Sequence, residues 1–181
     1  LVLLNARSVL NKLADVEGVL YEYDADITAI TETWLHSGIS DCELVPPTHQ
    51  IIRHDRSSRG GGVAIVAKNN VCCSVLEEIQ NHESLWCKVE VGKVVFVLGV
   101  VYRPPNAPGV FLETLYDYLS GLVRNRTKVV VVGDFNAPGI DWNNLRLTTS
   151  NTQKESILLD LLSSVNLLQV VTQPTRVTPT T

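Results

Sequence analysis

The run Val129-Val130-Val131-Val132, closed at once by Gly133-Asp134-Phe135-Asn136, constrains this chain more than any other feature. Four consecutive β-branched residues are stiff at χ1 and favour extended backbone. With apolar side chains on both sides of the alternation, the segment reads as a strand buried on both faces. A carboxylate left at the end of so apolar a strand is costly unless it is used, and Gly133 permits close backbone approach just before it. Asp134 and Asn136 stand two residues apart, so in an extended chain their side chains share a face and converge. Buried strands that end in polar residues are where an α/β enzyme places its site, because the rigid sheet fixes side chains at one rim.

Two further strand ends have the same character. Leu1 to Leu4 is an apolar run that stops on Asn5, and the segment from Asp26 to Thr31 delivers Glu32 just beyond its end. Any one such residue, taken alone, is an ordinary turn or helix-cap residue. Together they gather carboxylate and amide oxygens on one rim, a hard-oxygen site that suits Mg²⁺ or Mn²⁺ rather than zinc. Such a cation clamps a phosphate oxygen and stabilises the charge that builds up there.

Between these ends the period alternates. Leu13, Val16, Val19, Leu20 and Tyr23 recur at helical steps, as do Phe111, Leu112, Leu115, Leu119 and Leu122. A third helix carries Ile157, Leu158, Leu161, Leu162 and Val165, opening near Ser150 or Asn151, and Val165 to Val171 is expected to feed a last strand. The middle of the chain is β: Ile51-Ile52, Gly62 to Lys68, Val71 to Leu76, Leu85 to Val91 with a two-residue period, and Val94 to Tyr102, ended by Arg103-Pro104-Pro105. Helices interspersed among strands, some paired as hairpins, imply a mixed α/β sheet core with helices outside.

Composition narrows the classes. At 181 residues, 45% apolar and 19% charged, with mean hydropathy +0.12, the chain is sized for one domain and can bury a sizeable core. No window approaches the roughly 18 uninterrupted apolar residues of a transmembrane helix, so no membrane partner is expected. A net charge of −4 and a pI near 5.5 exclude a domain-wide basic footprint, but not an enzyme that meets nucleic acid through a metal ion. Charge is uneven: Ile51 to Asn70 carries Arg53, Arg56, Arg59 and Lys68 against Asp55 alone, which by itself reads as a solvated loop.

Cys42, Cys72, Cys73 and Cys87 form no C-x-x-C pair, and the reading is reduced thiols in an intracellular setting. Arg59-Gly60-Gly61-Gly62 precedes a strand rather than a helix and lacks Gly-Lys-Ser/Thr, so it reads as a hairpin entry and not a nucleotide loop. His36, His49, His54 and His82 read as solvated, and Trp34, Trp86 and Trp142 as packing anchors. The opening on Leu1-Val2-Leu3-Leu4 without an initiator Met reads as an internal fragment.

In their order along the chain, Asn5, Ile30-Thr31-Glu32-Thr33-Trp34-Leu35, Gly61-Gly62-Val63-Ala64-Ile65, Tyr102-Arg103-Pro104-Pro105 and Val132-Gly133-Asp134-Phe135-Asn136 resemble the endonuclease/exonuclease/phosphatase superfamily. Asn5-Ala6-Arg7-Ser8, Arg53-His54-Asp55-Arg56, Pro138-Gly139-Ile140-Asp141-Trp142 and Gln173-Pro174-Thr175-Arg176 are similar to the endonuclease domain of non-LTR retrotransposon polyproteins. The resemblance implies a four-layer α/β/β/α sandwich formed by a single domain over residues 1–181, incomplete at both ends and lacking its last strands.

It implies that Asn5 and Glu32 hold Mg²⁺, with Mn²⁺ as the alternative. It further implies that Asp134 orients or deprotonates the attacking water, that Asn136 hydrogen-bonds the phosphate, and that Tyr102 lies beside it. Arg103 and Arg7 are expected to contact substrate phosphates. The implied partners are DNA and, in the parent polyprotein, a covalently linked reverse transcriptase, with action in the nucleus.

The chain departs from the pattern in one respect: it contains no Ser-Asp-His triplet, with which the family closes. The expectation is a truncated domain that keeps the metal half of the site and lacks the histidine half, a loss worth about 10²–10⁴ in rate for an acid–base group. Two other readings stand beside the DNA-nicking one. A phosphoesterase of the same fold would act on a substrate other than nucleic acid, and an inactive remnant would only bind a partner.

Overall fold

Strand β4 (Val63–Lys68) explains why the middle of the chain is so continuously apolar. Val63, Ile65 and Ala67 point to one side and pack with Ile27 and Ala29 of strand β2 (Ile27–Thr31), while Ala64 and Val66 point to the other and pack with Ile30. A strand covered on both faces has no side left for polar residues. The computed structural model describes residues 1–148, 153–171, 173 and 175. These fall into two compact units, Leu1–Ala107 with Leu122–Asn136, and Pro108–Gly121 with Ala137–Thr181.

The first unit is built on two four-stranded sheets. In one, β1 (Val2–Asn5) pairs parallel with β2, which pairs antiparallel with β4, itself the hairpin partner of β3 (His49–His54). In the other, β5 (Cys72–Val75), β6 (Ser84–Val91) and β7 (Val94–Tyr102) run antiparallel, and β8 (Val129–Asp134) joins β7 in parallel. The sheets face one another through Ile27, Ala29, Val63 and Ile65 on one side and Leu85, Cys87, Leu98 and Val100 on the other. Helix α1 (Leu13–Glu22) covers the outer face of the first sheet with Val16 and Leu20. Three layers of an α/β/β/α arrangement therefore lie within this unit, and the chain is a mixed α/β protein.

Close approach inside the second sheet is set by glycine. Gly99 is register partner to Trp86, whose ring occupies the place a Cβ on Gly99 would take. Gly133, at φ +152°, sits opposite Val101, and a side chain there would run into the Val101 carbonyl.

The second unit holds most of helix α2 (Val110–Arg124), a two-stranded hairpin of β9 (Ile140–Asp141) and β10 (Arg146–Leu147), and helix α3 (Gln153–Ser164). Helix α2 buries Phe111, Leu112, Leu115 and Leu119 of the stripe read from the sequence and leaves Leu122 half-buried. The hairpin was not legible from periodicity, because two-residue strands carry none. It is closed by Asp141, whose carboxylate accepts from the Asn143 and Asn144 backbone, the Asn144 amide and Arg146 Nε. The donors of Asn144, then the Arg146 guanidinium, hold this carboxyl below its usual range.

Three expectations need correction. Strand β8 is only half-buried: none of its residues is fully buried, and Val130 is 36% exposed. Four valines dictate extended backbone, but the layers packed on a strand's faces decide burial. Residues 165–171 form no strand. A turn at Val165–Asn166 leads into residues without a ladder partner among the described residues, and Leu168 and Val170 are among the most exposed apolar side chains there. The histidines are not uniformly solvated: His49 and His54 end β3, and His82 is 3% exposed with Nδ1 against Ser84 Oγ at 2.9 Å. The start expected for α3 at Ser150 or Asn151, and Pro174 and Arg176 of the Gln173–Arg176 motif, lie outside the described residues. Among the described residues no helix is long and apolar enough to cross a membrane.

Candidate active site

The two parallel pairings bring the polar strand ends together. Because β1 runs beside β2 in register, Asn5 lies next to Thr31 and one residue from Glu32. Because β8 runs beside β7, Asp134 lies next to Tyr102. The facing of the two sheets then sets one pair against the other. The Asn5 side-chain amide donates to Glu32 Oε1 and to Asp134 Oδ2, each at 2.9 Å, so the two carboxylate oxygens are at most twice that distance apart. Neither carboxylate has an ion-pair partner among the described residues.

Beyond β8 the chain turns tightly. The Asn136 backbone N–H donates to Asp134 Oδ1 at 3.0 Å, and Asn136, at φ 45°, sends its Nδ2 to the Arg103 carbonyl at 2.8 Å. Arg103 returns the contact: its N–H donates to the Asp134 carbonyl at 2.9 Å, and its Nη1 to the carbonyls of Phe135 and Asn136 at 2.9 and 3.2 Å. At 2% exposure, Arg103 is a strut between the ends of β7 and β8. Arg7, by contrast, is exposed at φ 44° and makes no hydrogen bond or ion pair among the described residues.

Tyr102 is 8% exposed. Burial raises its phenol above the ordinary range, and the carboxylates of Glu32, Glu83 and Asp134 add to this, with Arg56 opposing. The phenol is therefore a hydrogen-bond donor throughout the physiological range.

Left-handed backbone concentrates at these strand ends: Arg7, Ser8, Glu32, Trp34 and Asn136 all have positive φ without being glycine. Such conformations cost about 1–3 kcal/mol each and persist where surrounding contacts over-determine them. Glu32 is held from both sides. Its carbonyl accepts from Ser8 N–H, and the following residues Thr33 and Trp34 donate to the carbonyls of Gly62 and Gly61.

The donor set can be tested against a divalent cation. Among the described residues no three His, Cys, Asp or Glu side chains group to hold a metal. Two carboxylates and one amide meeting without a balancing cation suit Mg²⁺, which takes one or two carboxylates and completes its shell with water and phosphate oxygens. The Asn5 amide here spends its N–H groups on the carboxylates, and the same side chain offers an oxygen on its other edge.

Glu83 was not legible from the sequence. It precedes the alternation of β6 and has no motif of its own, yet its Oε2 accepts from Gly62 N–H at 3.0 Å and its Oε1 lies 3.4 Å from Arg56 Nε. The one available signal was the glycine run, since Gly60, Gly61 and Gly62 all have positive φ. A Cβ on Gly61 would strike the Glu83 carboxylate and come within 2.8 Å of Arg56 Cδ.

Comparison of the sequence with curated proteins gives no significant match. Among solved structures, the chain is similar to an AP endonuclease from Archaeoglobus fulgidus at 19% identity and TM-score 0.66, over 90% of this chain and 69% of that one. It is similar to the endonuclease domain of TRAS1, a telomere-specific non-LTR retrotransposon, at 16% identity and TM-score 0.63, over 95% and 73%. It is also similar to a mannosyl-6-phosphatase from Bacteroides thetaiotaomicron, at 13% and 0.61 over 87% and 68%. These likenesses share the fold. The model of the Endonuclease/Exonuclease/phosphatase family matches residues 2–179, and with the strand-end geometry above, the chain belongs to that family.

Proposed function

We propose that this chain is a Mg²⁺-dependent phosphodiester hydrolase, the DNA-nicking endonuclease domain of a non-LTR retrotransposon. The observation that carries the reading is the Asn5 amide bridging Glu32 and Asp134, with Asn136 and Tyr102 alongside. The similarity to the TRAS1 endonuclease domain supports the retrotransposon assignment.

In this reading Asn5 and Glu32 hold the cation, which when bound polarises the scissile phosphate and offsets the charge that develops on it. Asp134, pinned through Oδ1 by the Asn136 backbone, keeps Oδ2 on the rim to take the proton of the attacking water. The water oxygen bonds to phosphorus as the bond to the 3′ oxygen breaks. The departing 3′ oxygen takes a proton from solvent, and Asp134 returns its proton to solvent, so the strand is left with the 3′-hydroxyl that priming of reverse transcription requires. Tyr102, kept protonated by burial, donates to a phosphate oxygen, and the Asn136 amide serves the same charge from the other side. Arg7, exposed on the loop after β1, meets the DNA backbone. A linked reverse transcriptase and action in the nucleus complete the proposal.

The test is relaxation of supercoiled plasmid by the purified chain with Mg²⁺, with EDTA, and with Asp134→Asn. Metal-dependent nicking that falls about 10²-fold or more in Asp134→Asn is the expected result. Release of inorganic phosphate from a monoester without nicking would move the substrate to another phosphoester. No activity in either assay, with Asp134→Asn indistinguishable from wild type, would leave the chain an inactive remnant.

A further inference from the structure

The site has two walls, the Glu32 loop after β2 and the β7 end at Tyr102, and one residue outside the expected set touches the supports of both. The Glu83 carbonyl accepts from Tyr102 N–H at 2.9 Å. Its carboxylate takes Gly62 N–H through Oε2 and faces Arg56 through Oε1. The Gly62 carbonyl in turn accepts from Thr33 N–H at 3.3 Å, and the Gly61 carbonyl from Trp34 N–H at 3.0 Å, the residues that follow Glu32. The Glu83 side chain is only 14% exposed, so these bonds work in a setting where an unmade one is expensive. The glycines are what admit it. A side chain on Gly61 would occupy the carboxylate's place, and one on Gly62 would lie 2.5 Å from Thr33 Oγ1.

We infer that Glu83 is a positioning residue for this site: its carboxylate fixes the Gly61–Gly62 backbone and Arg56, its carbonyl fixes Tyr102, and the Glu32 and Tyr102 walls thereby keep one spacing. The consequence for catalysis rests on the phosphodiesterase reading. The consequence for the backbone does not. Glu83 acts through its neighbours' backbone, and the Glu32 loop, left-handed at φ 53°, depends on it through two hydrogen bonds in series. Arg56, with 37% of its side chain exposed, faces Glu83 through Nε.

The experiment compares Glu83→Ala, which removes both carboxylate contacts, with Glu83→Gln, which keeps an acceptor for Gly62. Amide hydrogen exchange is read by NMR, and nicking kcat and KM are measured in parallel. In Glu83→Ala, exchange at Gly62 and Thr33 accelerates about tenfold or more while Leu98 and Val100 inside β7 keep their protection. In the same variant kcat falls about tenfold with KM within about twofold. Glu83→Gln restores the exchange pattern and most of kcat. Unchanged exchange at Gly62 and Thr33 in Glu83→Ala would overturn the inference, as would a Glu83→Gln as impaired as the alanine variant. Should Glu83→Ala fail to fold, Arg56→Ala with Glu83→Gln decides: Gly62 protection retained in both supports the backbone role, and its loss in Glu83→Gln overturns it. A wild-type chain that does not nick plasmid sinks the phosphodiesterase reading alone, and the exchange data still decide the role of Glu83.

Discussion

Asn5 and Asp134 lie 129 positions apart in the sequence, and the amide of the first donates to Oδ2 of the second at 2.9 Å. The contact exists because β1 ends one sheet of the core and β8 ends the other, with both strands running toward the same rim. The same amide holds Glu32, so one neutral side chain keeps two negative groups together. In the proposed reading a divalent cation would offset the charge of both carboxylates.

Glu32→Gln is therefore expected to act with opposite sign in the absence and presence of metal. With EDTA it removes the repulsion from Asp134 and raises stability by up to about 1 kcal/mol, the scale of partly exposed charge interactions. With saturating Mg²⁺ it forfeits the ligand, and the wild type becomes the more stable. Thermal melts of both chains in EDTA and in Mg²⁺ check the crossing.

Asn5→Ala removes the bridge while leaving both carboxylates. Because Asn5 is exposed, the cost in folding is expected to be modest, about 0.5–1.5 kcal/mol, as for an ordinary hydrogen bond. Affinity for Mn²⁺, read by electron paramagnetic resonance or calorimetry, is expected to fall about tenfold or more. Equal affinity in the two chains would remove Asn5 from the ligand set.

Gly133→Ala and Gly99→Ala should separate backbone strain from overpacking. At Gly133 the new Cβ meets the backbone carbonyl of Val101 at a φ that L residues rarely adopt, and neither can move aside. A loss of about 3 kcal/mol or more is expected there. At Gly99 it meets the buried Trp86 ring, a side chain rather than backbone, and about 1–3 kcal/mol is expected. Urea unfolding gives both values, and a Gly133→Ala chain as stable as wild type would contradict the strand geometry.

Cys87 supplies a pH dependence. Burial first, and neighbouring Cys73 second, push its thiol from 9.0 up to about 12. A raised thiol pKa means that the folded state holds the proton more tightly. Its contribution is thus fully present below pH 9 and is lost as pH rises through about 12. Cys87→Val is expected to flatten the fall of unfolding free energy over that window in urea titrations. Iodoacetamide at neutral pH should label the exposed Cys42 and Cys72 and leave Cys87 untouched.

Much of the site was legible because its residues sit where a strand stops. Asn5, Glu32, Asp134 and Asn136 each follow an apolar run, and a polar group at such a point is a local signal. Glu83 gave none, and Arg56 only its place in the basic stretch and in the Arg53-His54-Asp55-Arg56 segment. They lie in loops whose composition is that of any surface turn, and only the three left-handed glycines between them marked a close approach. Arg103 was legible as a cation beside Tyr102, but the direction of its guanidinium, toward the Phe135 and Asn136 carbonyls, was not.

By itself the sequence determined what depends on near neighbours: two-residue and 3.6-residue periods, the β3–β4 hairpin at the glycine run, and strand ends that carry hard-oxygen donors. Tertiary structure alone decided what depends on which strands lie side by side. It left the four-valine strand half-buried where the run reads as buried on both faces, and it left Leu168 and Val170 exposed where the run reads as a strand. It also set Asn5 against Asp134. Periodicity is a property of the local backbone, whereas burial and convergence are properties of partners brought together across the chain.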